Sequence, residues 1–159
     1  MRIAIPGASG RTGRHLVDQA LAAGLEVSAF VRDASKLPRE HERLRIERGD
    51  AMDPAAVEAA VRGNDAVISV ILPASPGGVP AAPLTRVVQE SGLDWTIVRM
   101  AGPSNAPGTG YIDAGYVSKV VRTRIARADA AAFMLGEVLE PRFLHEAPVI
   151  WSRRPRFAP

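Results

Sequence analysis

Short β-branched runs alternate along this chain with stretches of helical periodicity, the sequence form of βαβ units and a parallel sheet. Arg2 to Ile5 reads as a first strand. A helix follows from about Arg11 to Ala23, with Leu16, Val17, Ala20 and Leu21 on one face and Gly24 as its stop. Val27 to Val31 is a second strand, Lys36 to Arg43 a loop or short helix broken by Pro38, and Leu44 to Arg48 a third strand. Asp53-Pro54 opens the next helix, a carboxylate cap followed by proline at the first helical position. Val57, Ala60 and Val61 form that helix's buried stripe, and Gly63-Asn64-Asp65 leads into a fourth strand, Ala66 to Leu72. Beyond a Pro/Gly/Ala-rich connection, Pro73 to Pro83, the pattern predicts a helix from Leu84 to Ser91 with Gly92 as its stop. A strand from Trp95 to Arg99 comes next, then a glycine- and proline-rich loop from Met100 to Gly110. A helix over Ala128 to Leu139 and a last strand over Pro148 to Trp151 complete the reading.

Composition narrows what such a fold can serve. The 159 residues are 47% hydrophobic and 23% charged, which suits one compact domain over 1–152 and excludes a disordered chain. The longest strongly apolar stretch, Ala66 to Leu72, is far short of a membrane span, and the first strand begins too early for a secretory segment. A cytoplasmic protein without membrane contact is therefore the expectation. The absence of cysteine excludes disulfides, thiolate metal sites and a thiol nucleophile. The net charge of +3 resides in Arg153, Arg154 and Arg156 of a basic tail, 153–159; without them the cationic and acidic side chains balance at 17 each. A body without net positive charge is poor material for a phosphate-backbone footprint, so nucleic acid is not the expected partner.

The strongest chemical signal is Ile3-Ala4-Ile5-Pro6-Gly7-Ala8-Ser9-Gly10-Arg11-Thr12-Gly13-Arg14, a glycine loop between a strand and a helix. Its spacing is G-x-x-G-x-x-G rather than the G-x-G-x-x-G of the standard dinucleotide fingerprint, but the physics is similar. Gly7 permits a sharp turn off the strand, Gly10 lets the backbone approach a pyrophosphate, and Gly13 lets the helix sit close to the sheet. The N–H groups of Arg11, Thr12 and Gly13 would then face the anion at the positive end of the helix dipole. Gly7, Ser9, Gly10, Arg11, Thr12 and Gly13 are accordingly candidate cofactor-binding residues.

The end of the second strand bears on which dinucleotide is held. An acid there would accept from the ribose 2′-OH of NAD. The chain has Val31-Arg32-Asp33: Arg32 stands first after the strand, where its guanidinium would pair with the 2′-phosphate of NADP, and Ser35 and Lys36 would add to it. A slip of one residue would put Asp33 at the ribose and favour NAD. Asp50-Ala51, past the third strand, lies where an adenine edge would be held, or forms a plain turn before the Asp53 cap. Leu72-Pro73 ends the fourth strand at the crevice where ligands bind in open α/β sheets.

These residues resemble a family. Gly7-Ala8-Ser9-Gly10-Arg11-Thr12-Gly13, Phe30-Val31-Arg32-Asp33, Gly49-Asp50, and Glu90 to Arg99 (ESGLDWTIVR) are similar to the atypical short-chain dehydrogenase/reductases. The nearest branch is that of the NmrA-like and flavin reductase or biliverdin-IX-beta reductase-like NAD(P)-binding proteins. Arg124 to Asp129 with Ala132 to Leu135 resembles their C-terminal helix entry. The resemblance implies a Rossmann-type fold with helices on both faces of a parallel sheet and an NADP cofactor. It implies either reduction of a flavin, quinone or similar small acceptor, or NADP sensing without turnover. The chain is shorter than this pattern by one helix and one strand, since only residues 73–83 separate Leu72 from Leu84, and a strand order near 3-2-1-4-5 follows. The sheet edge so exposed invites a homodimer. Leu72, Pro73 and the Met100–Ser104 loop would frame the nicotinamide, and Met100 stands where many relatives have proline.

Other side chains read as structural. Tyr116 and Lys119 lack the four-residue spacing of the short-chain dehydrogenase pair, so no catalytic residue is assigned. His15, His41 and His145 have neither metal-ligand spacing nor an acid at a helical interval, and Ser9 is not in a G-x-S-x-G elbow. Trp95 and Trp151 read as core or rim aromatics, and Phe133, Met134 and Val138 as an inward helix face.

Overall fold

The computed structural model describes residues 1–70, 89–90, 93–116 and 124–153. The chain divides into two compact units, Met1–Ile71 and Leu72–Pro159.

The first unit is a parallel sheet. β1 (Arg2–Pro6) pairs with β2 (Glu26–Val31) on one side and β4 (Ala66–Val67) on the other, and β2 pairs with β3 (Leu44–Arg48). The order is β3-β2-β1-β4. Hydrogen bonds from Ile68 N–H to Ala4 O (2.9 Å) and Val70 N–H to Pro6 O (3.0 Å) carry the β4 ladder along nearly all of the expected fourth strand that is described. Ile3, Ala4 and Ile5 are fully buried, so β1 is covered on both faces, as a central parallel strand must be. α1 (Arg11–Ala22) supplies Leu16, Val17 and Ala20 to this core, each fully buried. Burial of side chains the size of Leu16 and Val17 contributes about 1.5–3 kcal/mol each. Gly24 at φ +79° ends the helix, its N–H donating to Leu21 O at 3.0 Å.

A short 3-10 turn, Ala34–Lys36, occurs just ahead of the expected loop, capped by Asp33. α2 (Pro54–Val61) begins as its sequence predicts: the Asp53 carboxylate accepts from Ala55 N–H at 3.0 Å, with proline in the first turn. The crossover from β3 to β4 reverses the direction of the earlier connections, and right-handed crossovers then place α2 on the face opposite α1. That reversal makes the carboxyl end of β1, where Gly7 stands, a topological switch point.

The second unit holds a three-stranded sheet of order β5-β9-β7, from β5 (Arg99–Met100), β7 (Ile112–Gly115) and β9 (Val149–Ser152). β5 runs parallel to β9, and the ladder extends back to a bridge between Thr96 and Glu146, matching the strand expected at Trp95. β7 lies antiparallel to β9, a strand unforeseen in the Tyr111–Tyr116 stretch. β6 (Pro103–Ser104) interrupts the expected Met100–Gly110 loop and pairs with β8 (Ile125–Ala126). α3 (Arg127–Leu139) packs Ala130 and Phe133 with Ile125 and Ile150 in a buried cluster.

Two buried carboxylates hold this unit's loops. Asp129 accepts from Thr109 N–H, Thr109 Oγ1 and Gly110 N–H at 2.9–3.1 Å. Glu137 accepts from Arg142 N–H (3.1 Å), Phe143 N–H (3.0 Å) and Arg142 Nε (3.2 Å). Leu72, Pro73, the 73–83 connection, the Leu84–Ser91 helix apart from 89–90, Gly92, Lys119 and the tail beyond Arg153 lie outside the described residues.

Candidate functional site

The glycine loop leaves β1 through Gly7, whose φ of +84° is in the left-handed region that favours glycine. Its N–H donates to Phe30 O at 3.1 Å, tying the loop to β2, and its carbonyl accepts from Gly10 N–H at 2.9 Å. Gly13 faces back onto this turn. A Cβ there would strike the Gly7 carbonyl oxygen and stand 2.8 Å from Ala8 Cα, so only glycine lets α1 approach so closely.

Gly10 caps α1 without a side-chain acceptor, and no acidic residue occupies the first turn. The first amide taken up by the helix is Arg14 N–H, which donates to Gly10 O at 3.0 Å. The N–H groups of Arg11, Thr12 and Gly13 thus have no acceptor among the described residues, the condition of a helix start that can receive an anion. Thr12 and Gly13 are buried, Ser9 is half-buried, and Gly10 and Arg11 are exposed.

Parallel pairing brings the carboxyl ends of β1, β2 and β3 to one edge. Arg32, the first residue past β2, is exposed and has neither an ion pair nor a hydrogen bond among the described residues. Its neighbour Asp33 is occupied: one carboxylate oxygen accepts from Ser35 N–H (3.0 Å) and Ser35 Oγ (2.7 Å). Those bonds, from the hydroxyl first and the amide second, hold its carboxyl below the ordinary 3.8. Past β3, Gly49 N–H donates to Val31 O at 3.0 Å, and a Cβ on Gly49 would collide with the Phe30 ring. Asp50 Oδ1 accepts from Met52 N–H at 3.0 Å, so one of its oxygens closes the turn into α2. Ala51 is half-buried beside it. The glycine loop, Arg32 and Asp50-Ala51 therefore share one edge of one sheet, whereas Leu72 and Pro73 lie outside the described residues.

One contact was not legible from motif spacing. Arg14, the last residue of the glycine motif, donates from Nε to Ser9 O (3.1 Å) and from a terminal nitrogen to Lys36 O (2.7 Å). It spans the loop and the turn that carries Ser35 and Lys36. A long cationic side chain one turn into the helix was the available signal; its acceptors, both carbonyls, leave no mark in sequence.

This edge is the ledge of the candidate site, with Gly10, Arg11 and Arg32 exposed on it. Two hollows of about 330 and 370 Å³ lie elsewhere, one along the last turn of α1 by Leu21, Arg39 and His41, the other between α3 and β7 by Phe133, Arg142 and Asp113. In the second unit, the Tyr116 hydroxyl donates to the Glu146 carboxylate. That bond, together with partial burial and the charge of Glu146, raises the phenol above 10.0, the reverse of what a phenolate base requires. His145 meets an acid that spacing could not show, Asp94 at 3.4 Å, and packs beside Trp95. No group of three metal-binding side chains occurs among the described residues, and no helix there is long and apolar enough to cross a membrane.

A dinucleotide fits this ledge: three amides at a helix start without an acceptor among the described residues, no carboxylate in the first turn, and the Arg32 guanidinium, without a partner among those residues, at the same sheet edge. The fold and the edge together define an α/β dinucleotide-binding protein. Residues 7–85 and 79–141 match the family model described as NAD(P)H-binding, and the chain belongs to that family.

Solved structures repeat the fold. A Rossmann-fold NAD(P)-binding family protein from Shigella flexneri superposes with a TM-score of 0.80 at 19% identity, over 99% of this chain and 98% of that one. ChuY, an anaerobillin reductase from Escherichia coli O157:H7, gives 0.76 at 20% identity over the whole of both chains. Among sequence relatives, a 3-diazoavenalumate denitrifying reductase from a Streptomyces species is 46% identical over 61 residues, which are 38% of this chain and 19% of that protein. The chain thus matches about a fifth of that relative's length.

Proposed function

We propose that the protein binds NADP(H) and reduces a flavin, quinone or similar small acceptor. The observation that carries this reading is the row of amides at Arg11, Thr12 and Gly13, without acceptors among the described residues, on the same sheet edge as Arg32, which has no partner among them. The amides receive the pyrophosphate and Arg32 pairs with the 2′-phosphate. Hydrogen bonds to a charged group contribute about 1.5–3 kcal/mol, roughly ten- to 150-fold in preference for NADPH. Asp50-Ala51 holds the adenine edge with the backbone and the free carboxylate oxygen.

The nicotinamide of such a cofactor supplies hydride transfer, two electrons and one proton's mass per turnover. The chain's part is to hold the dinucleotide. Flavins and quinones accept a hydride and take their second proton from water, so they need no tyrosine acid, which accords with a Tyr116 hydroxyl already committed to Glu146. The reductases among the relatives and structural neighbours support the class of reaction.

The experiment is thermal stabilisation by NADPH and NADH, followed by NADPH oxidation with a flavin, a quinone or no acceptor. A larger shift with NADPH and acceptor-dependent oxidation are expected. At a hundredfold excess over Kd a ligand adds about 2.7 kcal/mol. A shift with NADH and none with NADPH would overturn the role given to Arg32. Binding of NADPH without turnover on any acceptor would instead favour a non-catalytic NADP sensor.

A further inference from the structure

We infer that Arg14 is a positioning residue that sets the preference for the phosphorylated dinucleotide, an inference that rests on the NADP reading above. Its guanidinium makes two hydrogen bonds to main-chain carbonyls, Nε to Ser9 O at 3.1 Å and a terminal nitrogen to Lys36 O at 2.7 Å. The two acceptors belong to the two halves of the ledge. Ser9 lies in the loop whose amides face the pyrophosphate. Lys36 ends the turn that follows Arg32 and Asp33.

The turn has its own internal bonds. Lys36 N–H donates to Asp33 O (3.3 Å), Leu37 N–H to Ala34 O (3.0 Å), and Ser35 to the Asp33 carboxylate. These shape the turn without fixing its distance from the glycine loop. Among the described residues, the hydrogen bonds that join turn to loop run through Arg14.

The glycine loop is anchored independently of Arg14. Gly7 is bonded to Phe30 and Gly10 to Gly7, and Gly13 fits against the Gly7 carbonyl. Loss of Arg14 should therefore loosen the 2′-phosphate half and leave the pyrophosphate half in place. A planar guanidinium with fixed donors can hold two carbonyls at a set separation, whereas the ammonium of lysine is a point charge on a flexible stem. Charge alone does not do this work; the span does.

The test measures Kd for NADPH and NADH in the wild-type protein, Arg14→Met, Arg14→Lys, Arg32→Ala and the double variant Arg14→Met/Arg32→Ala, with the melting temperature of each free protein. Two bonds of the ordinary net strength predict that Arg14→Met weakens NADPH about tenfold and NADH less than about threefold. Arg14→Lys should lose most of the same preference although it keeps the charge. The double variant should show little further loss of preference over Arg32→Ala. A wild type that prefers NADPH, with both Arg14 variants retaining that preference, overturns the brace and leaves the NADP reading standing. Full rescue by lysine, or equal losses for both dinucleotides, also overturns it. A wild type without preference for NADPH removes the reading and the brace together.

Discussion

At Gly13 a single methyl group separates a helix that docks from one that does not. The Gly7 carbonyl and the Ala8 backbone leave no volume for a Cβ, and neither is the flexible end of a side chain. Gly13→Ala should cost about 1–3 kcal/mol, as overpacking generally does. For a chain of this size that is a loss of roughly 2–4 °C in melting temperature per kcal/mol, read by calorimetry. Asp33 offers a test of local electrostatics. With two bonds from Ser35 its carboxyl titrates below 3.8, and Ser35→Ala should raise that midpoint, followed by the carboxyl carbon shift in NMR. The folded-state value is depressed, so this cap's contribution is whole at neutral pH and is lost as pH falls through that lowered midpoint. Gly7, Gly10 and Gly13 were legible in sequence because their spacing follows from one physical need, a backbone that turns hard and is approached closely. Arg14's span was not, because a carbonyl acceptor carries no residue identity.

Strands and helices with strong periodicity also declared themselves. α1, β2, β3, α2 and α3 fall within a residue or two of their expected bounds, since each has an apolar stripe or run bounded by a cap, a glycine or a proline. β6, β7 and β8 did not, being two to four residues long without alternation, and made by the pairing of β6 with β8 and of β7 with β9 rather than by local preference. The loop at Thr109-Gly110 shows how a buried acid replaces such preference. Asp129, 4% exposed, receives two amides and a hydroxyl from it. Asp129→Ala leaves those donors unsatisfied and should lower stability by about 1–3 kcal/mol per orphaned group, measured by urea unfolding. Asp129→Asn keeps one carbonyl acceptor and should lose less.

Taken together, the two units carry the family's pattern through most of the sequence, and the parallel order β3-β2-β1-β4 puts the switch point at Gly7. The cofactor class could be read from sequence because it depends on one local loop. The acceptor could not, because no motif of the chain specifies it, and Leu72 and Pro73, expected to frame the nicotinamide, lie outside the described residues. What most directly tests the claim that the leading helix receives a pyrophosphate on bare amides is a titration of the ¹⁵N-labelled protein with NADP⁺, read as amide shifts. The largest changes should fall at Arg11, Thr12 and Gly13, with Arg32 following and the far end of α1 at Ala22 and Ala23 unmoved. Saturable binding that leaves those three amides where they were would contradict it.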